Sequence, residues 1–288
     1  MSAPGLEVVA PGVLTLVEDL GRPGWAHVGV GRAGAADPAA LRLANRLVGN
    51  PEGAAGLEVL LGGLELRARG PVTVALTGAV GPAWVAGTPV GRGAVLELGA
   101  GEVLRVGTAT RGLRTYVAVR GGFDVPAELG SRSSDAHAGI GPPPLAVGDL
   151  LPVGPAPVHL PPVDLAPLRP WPDDVVIRVD AGPHVDWFDD APRVLCSSDY
   201  HVTPATDRVA VRLSGPALRR RAEHADRELA PMGLVAGAVQ VPPDGMPIVF
   251  GPDHPVTGGY PVLAVVRTAD LGALAQLRPG DPVRFRRT

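Results

Sequence analysis

The chain has 288 residues, a formal net charge of −3 and a hydrophobic content of 45%. This composition predicts a folded protein with one large domain or two ordinary ones, and it excludes a disordered chain. The scattered arginines and an aromatic content of only 4% argue against a nucleic-acid-binding surface. All 26 basic residues are arginine. The lack of lysine excludes biotin attachment, Schiff-base chemistry, a Walker A phosphate loop and a Ser-Lys dyad.

Cysteine and histidine usage limits the chemistry further. The single cysteine, Cys196, excludes an internal disulfide and a cysteine-based zinc site, and its Val-Leu-Cys-Ser-Ser context predicts a buried free thiol. The seven histidines show none of the close spacings of metal-binding pairs. We therefore expect no tightly held metal, although distant residues could still assemble a site.

We expect neither a signal peptide nor a membrane span. No basic stretch followed by an apolar core opens the chain, and no apolar run reaches the ~18 residues that a spanning helix needs. We therefore expect a soluble, cytoplasmic protein.

Helix signals are few, and the clearest covers Pro38–Val48. Asp37 is a suitable N-cap, proline is favoured at the first helical position, and Gly49 can end the helix. A second helix is predicted over about Ala269–Leu277, and a third, mostly charged and solvated, over Ala217–Glu228.

Most of the chain consists of short apolar runs between glycine and proline turns. This spacing favours a β-barrel or β-sandwich over a doubly wound sheet. The predicted strands are Val72–Thr77, Val95–Leu98, Val103–Val106, Tyr116–Val119, Val175–Val179, Val209–Leu213, Ala238–Val241, Ile248–Phe250 and Val262–Val266.

The segment Gly154–Pro172 carries seven prolines, which excludes a regular helix or a central strand. We interpret it as an extended connection between two parts of the chain. The predicted organisation is an N-terminal β-rich lobe at 1–153, the proline-rich connection at 154–172 and a C-terminal β-rich lobe at 173–288.

Two polar loops in the first lobe could bind an anion. In the first loop, Asp19 precedes Arg22 by three residues. The pair could form a structural salt bridge, or the planar guanidinium could bind a carboxylate or carboxyphosphate-like anion. The second loop, Gly130–Ser133, offers a guanidinium, two hydroxyls and closely approachable backbone N–H groups. It could equally be an ordinary hydrogen-bonded turn.

The second lobe carries the most informative stretch, Gly237–Pro261. A Pro-Pro-Asp-Gly turn separates two β-type runs, and a Thr-Gly-Gly-Tyr-Pro sequence follows. A proline-stiffened hairpin explains the turns. It does not explain why four polar side chains surround them: Gln240, Asp244, Thr257 and Tyr260.

Six ordered blocks resemble the carboxyltransferase-domain, subunit 2 type family, also called allophanate hydrolase subunit 2-like proteins or the C-type subunit of the prokaryotic 5-oxoprolinase. The resemblance runs from about Gly12 to Phe285. Its members usually have Met-Gly after the arginine where this chain has Val209 and Ala210, but no titratable group is lost. The six blocks are Thr15–Gly24, Ala33–Glu58, Tyr116–Ser133, Tyr200–Gly215, Gly237–Pro261 and Ala269–Phe285.

The resemblance implies a mostly β fold of two cyclophilin-like β-barrel lobes with a few short helices and a working surface between them. It also implies that the chain is one component of an ATP-dependent 5-oxoprolinase that opens 5-oxoproline to glutamate. On this interpretation, Asp207 and Asp244 would transfer protons or orient the substrate. The residues expected to bind substrate are Arg22, Ser131, Arg132, Ser133, Arg208, Gln240, Thr257 and Tyr260.

The resemblance also implies partner proteins. They would be a subunit 1-type carboxyltransferase protein, similar to the B-type subunit of 5-oxoprolinase, and a protein similar to its A-type subunit. We expect no covalently bound cofactor. ATP would be bound by or shared with a partner, because this chain has no phosphate loop, and the isolated chain should be inactive.

Two alternatives from other functional classes stay open. The chain could be a carboxyltransferase-type subunit that acts on urea or another small amide with a separate biotin carrier. It could also be a non-catalytic regulator that binds a kinase-inhibitor partner.

If the chain is an enzyme subunit, we expect Gly130–Ser133 to share one pocket with Gln240, Asp244 and Tyr260.

Overall fold

The computed structural model describes residues 5–167, 172, 174–225 and 227–288. Contacts divide the chain into two compact units. The first comprises Met1–Arg22 and Ala33–Trp171, and the second comprises Pro23–Arg32 and Pro172–Thr288. Strands dominate both units, which confirms the mostly β fold class.

The first unit holds eleven strands and the longest helix. The helix α1 spans Pro38–Val48. The strands are β1 (Gly5–Pro11), β2 (Leu14–Glu18), β3 (Gly56–Leu60), β4 (Leu64–Ala68), β5 (Val72–Val80), β6 (Ala83–Val85), β7 (Thr88–Val90), β8 (Val95–Leu98), β9 (Val103–Val106), β10 (Arg111–Val119) and β11 (Leu150–Pro152).

These strands form two sheets. The six-stranded sheet has the order β11-β1-β4-β9-β6-β7, and the five-stranded sheet has the order β2-β3-β10-β5-β8. Alternate residues of β4 are buried, as a strand with one core-facing side requires. In β10 both sides are buried, because α1 covers the side that faces away from the main core.

The helix α1 lies where its local signals predict. The Asp37 side chain accepts a hydrogen bond from the Ala40 backbone N–H at 3.0 Å, which caps the first turn. Gly49 ends the helix in the left-handed conformation, with φ of 81°. Ala44 and Val48 then pack against Ala118 of β10.

The proline-rich connection is described only in part, since residues 168–171 lie outside the described residues. Its described portion belongs to the first unit and contacts β8. Val95 donates a backbone hydrogen bond to Asp164, and Leu165 forms an isolated bridge with Ala94. The predicted lobe boundaries stay a prediction.

The second unit is built on a closed seven-stranded barrel with the order β12-β19-β16-β17-β14-β13-β20. Strand β12 pairs in parallel with β20, and a separate pair joins β15 to β18. The bounds are β12 (Val175–Ala181), β13 (Asp199–Val202), β14 (Ala210–Ser214), β15 (Met232–Gly233), β16 (Ala238–Gln240), β17 (Ile248–Phe250), β18 (Thr257–Gly258), β19 (Val262–Val266), β20 (Pro282–Arg287), α2 (Ala191–Ser197) and α3 (Leu271–Ala275).

The third predicted helix, Ala217–Glu228, is wrong for its described residues; Asp226 lies outside them. Only a short 3₁₀ turn forms, over Ala222–His224. Leu218 is buried and its N–H bonds to the carbonyl of Gly245, while the Arg221 N–H bonds to that of Trp187. These distant acceptors replace the local carbonyls that a helix would use.

Two other helical predictions need correction. The C-terminal helix is shorter than Ala269–Leu277, because Thr268–Asp270 forms a 3₁₀ turn and only α3 is α-helical. The sequence reading missed α2, which begins with Ala-Pro after Asp190. Cys196 lies on α2 and is half-buried rather than buried.

No helix in the described residues is both long and apolar enough to cross a lipid bilayer.

An ion pair in the second unit gives a pH-dependent prediction. Arg178 Nε and Nη2 donate to the two carboxylate oxygens of Asp270 at 2.9 and 2.7 Å, and these bonds lower the pKa of Asp270. A carboxyl whose pKa is lower in the folded state stabilises the fold above its unfolded pKa, and the stabilisation is lost as the pH falls through the folded pKa.

We therefore expect Asp270→Asn to make unfolding less sensitive to acid below about pH 4. The effect should be small, because the Arg178 side chain is 39% exposed. Urea unfolding at pH 7 and pH 3 measures it. Equal differences between the variant and the wild type at both pH values would contradict the prediction.

Candidate functional site

Asp19 is the hydrogen-bonding centre of the first candidate loop. Its Oδ1 accepts from the hydroxyls of Ser131 and Ser133, both at 2.6 Å, and from the Gly21 N–H at 2.7 Å. Its Oδ2 accepts from the Arg132 N–H at 2.6 Å. One carboxylate thus joins two loops more than one hundred residues apart in sequence. This cluster of Asp19, Ser131 and Ser133 is called the Asp19 cluster below.

The Gly-Ser-Arg-Ser loop uses its polar groups within the first unit. Both serine hydroxyls donate to Asp19, and both serines are buried. Arg132 Nε donates to the Val125 carbonyl at 2.7 Å, and its Nη2 pairs with the exposed Asp124 at 3.1 Å. This geometry favours the hydrogen-bonded turn for Ser131 and Ser133. Their role in substrate binding stays a prediction, and so does that of Arg132.

Arg22 lies beside this cluster and is 1% exposed. Its Nη2 donates to the Ser133 carbonyl oxygen. The salt bridge between Arg22 and Asp19 does not form, because the Asp19 carboxylate bonds to the serines and to backbone N–H groups. The structure therefore brings the predicted residues Arg22, Ser131 and Ser133 together, with Asp19 as the residue that holds them.

A second buried network in the first unit was missed by sequence reasoning. Glu58 Oε1 accepts from Arg114 Nε at 3.1 Å, and its Oε2 accepts from the Tyr116 hydroxyl at 2.7 Å and the Ala36 N–H at 2.9 Å. The Tyr116 oxygen also accepts from the Asp37 N–H at 2.7 Å. Burial and the neighbouring Glu58 carboxylate raise the pKa of Tyr116 well above its usual value. The network fixes the segment that enters α1.

In the second unit, Arg208 forms a buried ion pair. Its Nε and Nη2 donate to the two carboxylate oxygens of Asp253 at 2.7 and 2.9 Å, and both side chains are almost entirely buried. The neighbouring Asp207 is exposed, and its Oδ1 accepts from the N–H groups of Val209 and Ala210. The pair ties the loop before β14 to the loop after β17. Substrate contacts by either predicted residue stay predictions.

The remaining predicted residues lie at the end of β16, in the turn between β16 and β17, and in the segment from β18 to β19. Gln240 is buried, and its Nε2 donates to the Tyr260 carbonyl at 2.9 Å. Asp244 is exposed and its Oδ1 accepts from the Met246 N–H, an arrangement typical of a turn. Thr257 and Tyr260 are exposed, and the tyrosine side chain keeps 46% of its surface accessible. Gln240 thus holds the backbone of a loop that presents two hydroxyls.

The two candidate acids lie at opposite ends of β14. The register pairs Ala210 with Phe250 and Arg212 with Ile248. Asp207 lies just before Ala210, at the start of β14. The Asp244 turn lies beyond the pair of Arg212 with Ile248, and the carbonyl of its Gly245 accepts a hydrogen bond from the N–H of Leu218, which follows the end of β14. A strand of five residues separates its ends by roughly 13 Å. The two carboxylates cannot form a directly paired acid and base, so each stays a separate candidate.

The described residues contain no group of three or more histidine, cysteine or acidic side chains placed to hold a metal ion. Sequence reasoning undervalued two residues that centre hydrogen-bond networks, Asp19 and Glu58. The Asp19 turn had a local signal, because aspartate often accepts from the backbone N–H two residues later. Its partners at 131–133 had no such signal.

Comparison with known proteins assigns nearly the whole chain to one family. Residues 28–287 match the family described as carboxyltransferase domain, subdomain A and B. The C-type subunit of the Escherichia coli 5-oxoprolinase is 38% identical over 284 residues, which are 97% of this chain and 90% of that protein.

Two solved structures agree with this assignment. A crystal structure of the protein TTHA0988 matches with a TM-score of 0.90 and 37% identity over 99% of this chain, which spans only 56% of that chain. The Kluyveromyces lactis urea carboxylase matches with a TM-score of 0.88 and 30% identity, and this chain spans 27% of it. The resemblance read from the six sequence blocks is confirmed, and the chain belongs to the carboxyltransferase-domain family of subdomains A and B.

Proposed function

We propose that this chain is a C-type subunit of an ATP-dependent 5-oxoprolinase, which opens 5-oxoproline to glutamate. The observation that carries the proposal is the alignment with the C-type subunit from Escherichia coli, which includes 97% of this chain and 90% of that protein. The urea carboxylase of Kluyveromyces lactis is less similar, at 30% identity.

Each unit carries side chains with groups that a small lactam bearing a carboxylate would need. In the first unit, Arg22 is a buried cation of the kind that pairs with a carboxylate. In the second unit, Thr257 and Tyr260 carry exposed hydroxyls, which can hydrogen-bond an amide. Asp207 and Asp244 are exposed and use only Oδ1 in the hydrogen bonds described above. Each is therefore a candidate for proton transfer or for substrate orientation.

We further propose that partner proteins complete the enzyme. They are a carboxyltransferase protein of the B type and a protein of the A type, and ATP is bound by or shared with one of them. The chain has no lysine and no phosphate loop, so it lacks the usual means of binding a nucleoside triphosphate. The cytoplasmic location stays a prediction from the sequence.

Reconstitution of the complex tests whether this chain needs its partner proteins for activity. We expect no appreciable ATP-dependent 5-oxoproline hydrolysis by the isolated chain, and turnover when it is co-purified with A-type and B-type partners. Glutamate release is measured with and without ATP, and the partners without this chain serve as the control. Robust turnover by the isolated chain would contradict the proposal that partner proteins are required for activity. Full turnover by the partners alone would contradict any role for this chain.

The second candidate function is carboxyl transfer to urea or another small amide. The structural match to the urea carboxylase favours it. Because the chain has no lysine to carry biotin, a separate biotinylated carrier is required. Transfer of labelled carboxylate from such a carrier to urea, dependent on this chain, would support this function over lactam hydrolysis.

A further inference from the structure

The segment Thr257–Tyr260 of the second unit is anchored at both ends by backbone hydrogen bonds. Strand β15 pairs with β18, where the segment begins. The Leu234 N–H donates to the Val256 carbonyl at 2.9 Å, just before the segment. The Val241 N–H donates to the Pro261 carbonyl at 3.0 Å, just after it. The ends of the segment are therefore tied to neighbouring parts of the unit.

The carbonyl of Tyr260 lies between these anchors and is held by a side chain. Gln240 is only 4% exposed, and its Nε2 donates to this carbonyl at 2.9 Å. In the described part of the chain, no backbone N–H outside the strand ladders donates to the same oxygen. Leaving a buried amide without an acceptor is unfavourable, so the bond restricts the position of the Tyr260 backbone.

Close packing at Gly258 supports this arrangement. A Cβ atom at Gly258 would lie 2.7 Å from Leu234 Cδ1 and 2.9 Å from Gln240 Nε2, which is closer than such atoms normally approach. The missing side chain therefore lets the amide lie against the backbone. At Gly259 the nearest neighbour of a Cβ atom would be the Leu229 carbonyl oxygen at 3.6 Å, an ordinary contact. The amide thus needs a glycine at the first position and not at the second.

The side chains of this fixed segment point to a ligand. Thr257 is exposed, and Tyr260 keeps 46% of its surface accessible. Within the described residues, neither hydroxyl takes part in a hydrogen bond. A held backbone that presents two unengaged hydroxyls is the arrangement expected of groups preorganised for binding.

We propose that Gln240 is a positioning residue, whose buried amide fixes the Thr257 and Tyr260 hydroxyls for the substrate without contacting the substrate itself. Its effect on catalysis rests on the proposed function, whereas the fixing of Tyr260 is a property of this chain alone. Orientation matters because a displacement of about 1 Å at a reacting centre can lower a rate about a hundredfold.

Fluorine NMR of the isolated chain labelled with fluorotyrosine tests the positioning. The chain has three tyrosines, and Tyr116 and Tyr200 are fully buried. The line of Tyr260 is assigned with Tyr260→Phe. Gln240→Met keeps the approximate size of the side chain but removes the donor. We expect the Tyr260 line to narrow and to shift towards free fluorotyrosine, while the other two lines stay in place.

Tyr200→Phe is the matched control. It also removes a side-chain hydrogen bond to a backbone carbonyl of the second unit, from the Tyr200 hydroxyl to Pro216 at 3.0 Å. This bond does not involve the segment Thr257–Tyr260. The Tyr260 line should therefore keep its wild-type shift and width in this variant.

Gly258→Ala perturbs the same bond without changing Gln240, and it decides the matter if Gln240→Met fails to fold. The added Cβ atom should displace the amide and shift the Tyr260 line in the same direction. Gly259→Ala is its control, because the added atom meets an ordinary contact there and should leave the amide in place.

Kinetics of the complex reconstituted with A-type and B-type partners test the effect on catalysis. We expect Gln240→Met to lower kcat/KM for 5-oxoproline at least about tenfold. In the variant Thr257→Val/Tyr260→Phe both hydroxyls are gone, so adding Gln240→Met should lower kcat/KM by less than about twofold further. A direct substrate contact by Gln240 would instead give its full loss in both backgrounds.

Three results would overturn the proposal. The first is an unchanged Tyr260 line in both Gln240→Met and Gly258→Ala. The second is an unchanged kcat/KM in Gln240→Met, and the third is its full loss in the variant that lacks both hydroxyls. If the complex with the wild-type chain turns over no 5-oxoproline, the proposed function fails, and the Tyr260 line alone decides whether Gln240 fixes the segment.

Discussion

Glu58→Gln should lower the free energy of unfolding by about 3 kcal/mol, because removing one partner of a buried ion pair leaves the other charge poorly compensated. Glu58 and Arg114 have side chains that are only 4% and 7% exposed. The neutral amide keeps the shape but also changes the bonds to Tyr116 and the Ala36 N–H. Urea unfolding followed by circular dichroism measures the change.

The matched control is Glu97→Gln. Glu97 is exposed and accepts hydrogen bonds only from the Thr73 hydroxyl among the contacts described for it, so its loss should change stability by less than about 1 kcal/mol. The double variant Glu58→Gln/Arg114→Met should recover part of the loss, since it removes both buried charges. A loss below about 1 kcal/mol in the single variant would show that the network contributes little.

Asp19→Ala should also destabilise the first unit by about 3 kcal/mol, since it removes the acceptor of four short hydrogen bonds. Ser131 and Ser133 are buried and would lose the partner of their hydroxyls. Individual bonds to a charged group contribute about 1.5–3 kcal/mol, but bonds to one carboxylate are not additive. The same urea titration measures the change.

Asp124→Ala is the control for this variant. Asp124 belongs to the same loops but is exposed, and it forms one surface ion pair with Arg132. Its loss should be within about 1 kcal/mol. If Asp19→Ala were as mild as Asp124→Ala, the Asp19 cluster would not be what joins the two loops.

The local sequence was sufficient to predict elements that depend on interactions between neighbouring residues. The Asp37 cap, the proline and the Gly49 end fixed α1 over Pro38–Val48, because a cap and a left-handed glycine act on neighbouring backbone groups. The strands Val95–Leu98, Val103–Val106, Ile248–Phe250 and Val262–Val266 were also predicted at their observed bounds.

Local sequence failed where distant groups compete with the local choice. The charged segment Ala217–Glu228 has helical composition, yet the carbonyls of Gly245 and Trp187 take its N–H groups. The strands β5 and β10 extend beyond the predicted ranges Val72–Thr77 and Tyr116–Val119, and helix α1 covers their second side. Neither arrangement is visible in a window of ten residues.

The sequence by itself determined the β-rich class, the absence of lysine chemistry and the family, because composition, turns and ordered motifs are properties of the chain. Tertiary structure alone decided which polar residues meet. Asp19 bonds to serines more than one hundred positions away, Arg208 pairs with Asp253, and the Gln240 amide bonds to the Tyr260 carbonyl. Hydrogen bonding and desolvation depend on distances between atoms, and folding sets those distances for residues that sequence spacing leaves unrelated.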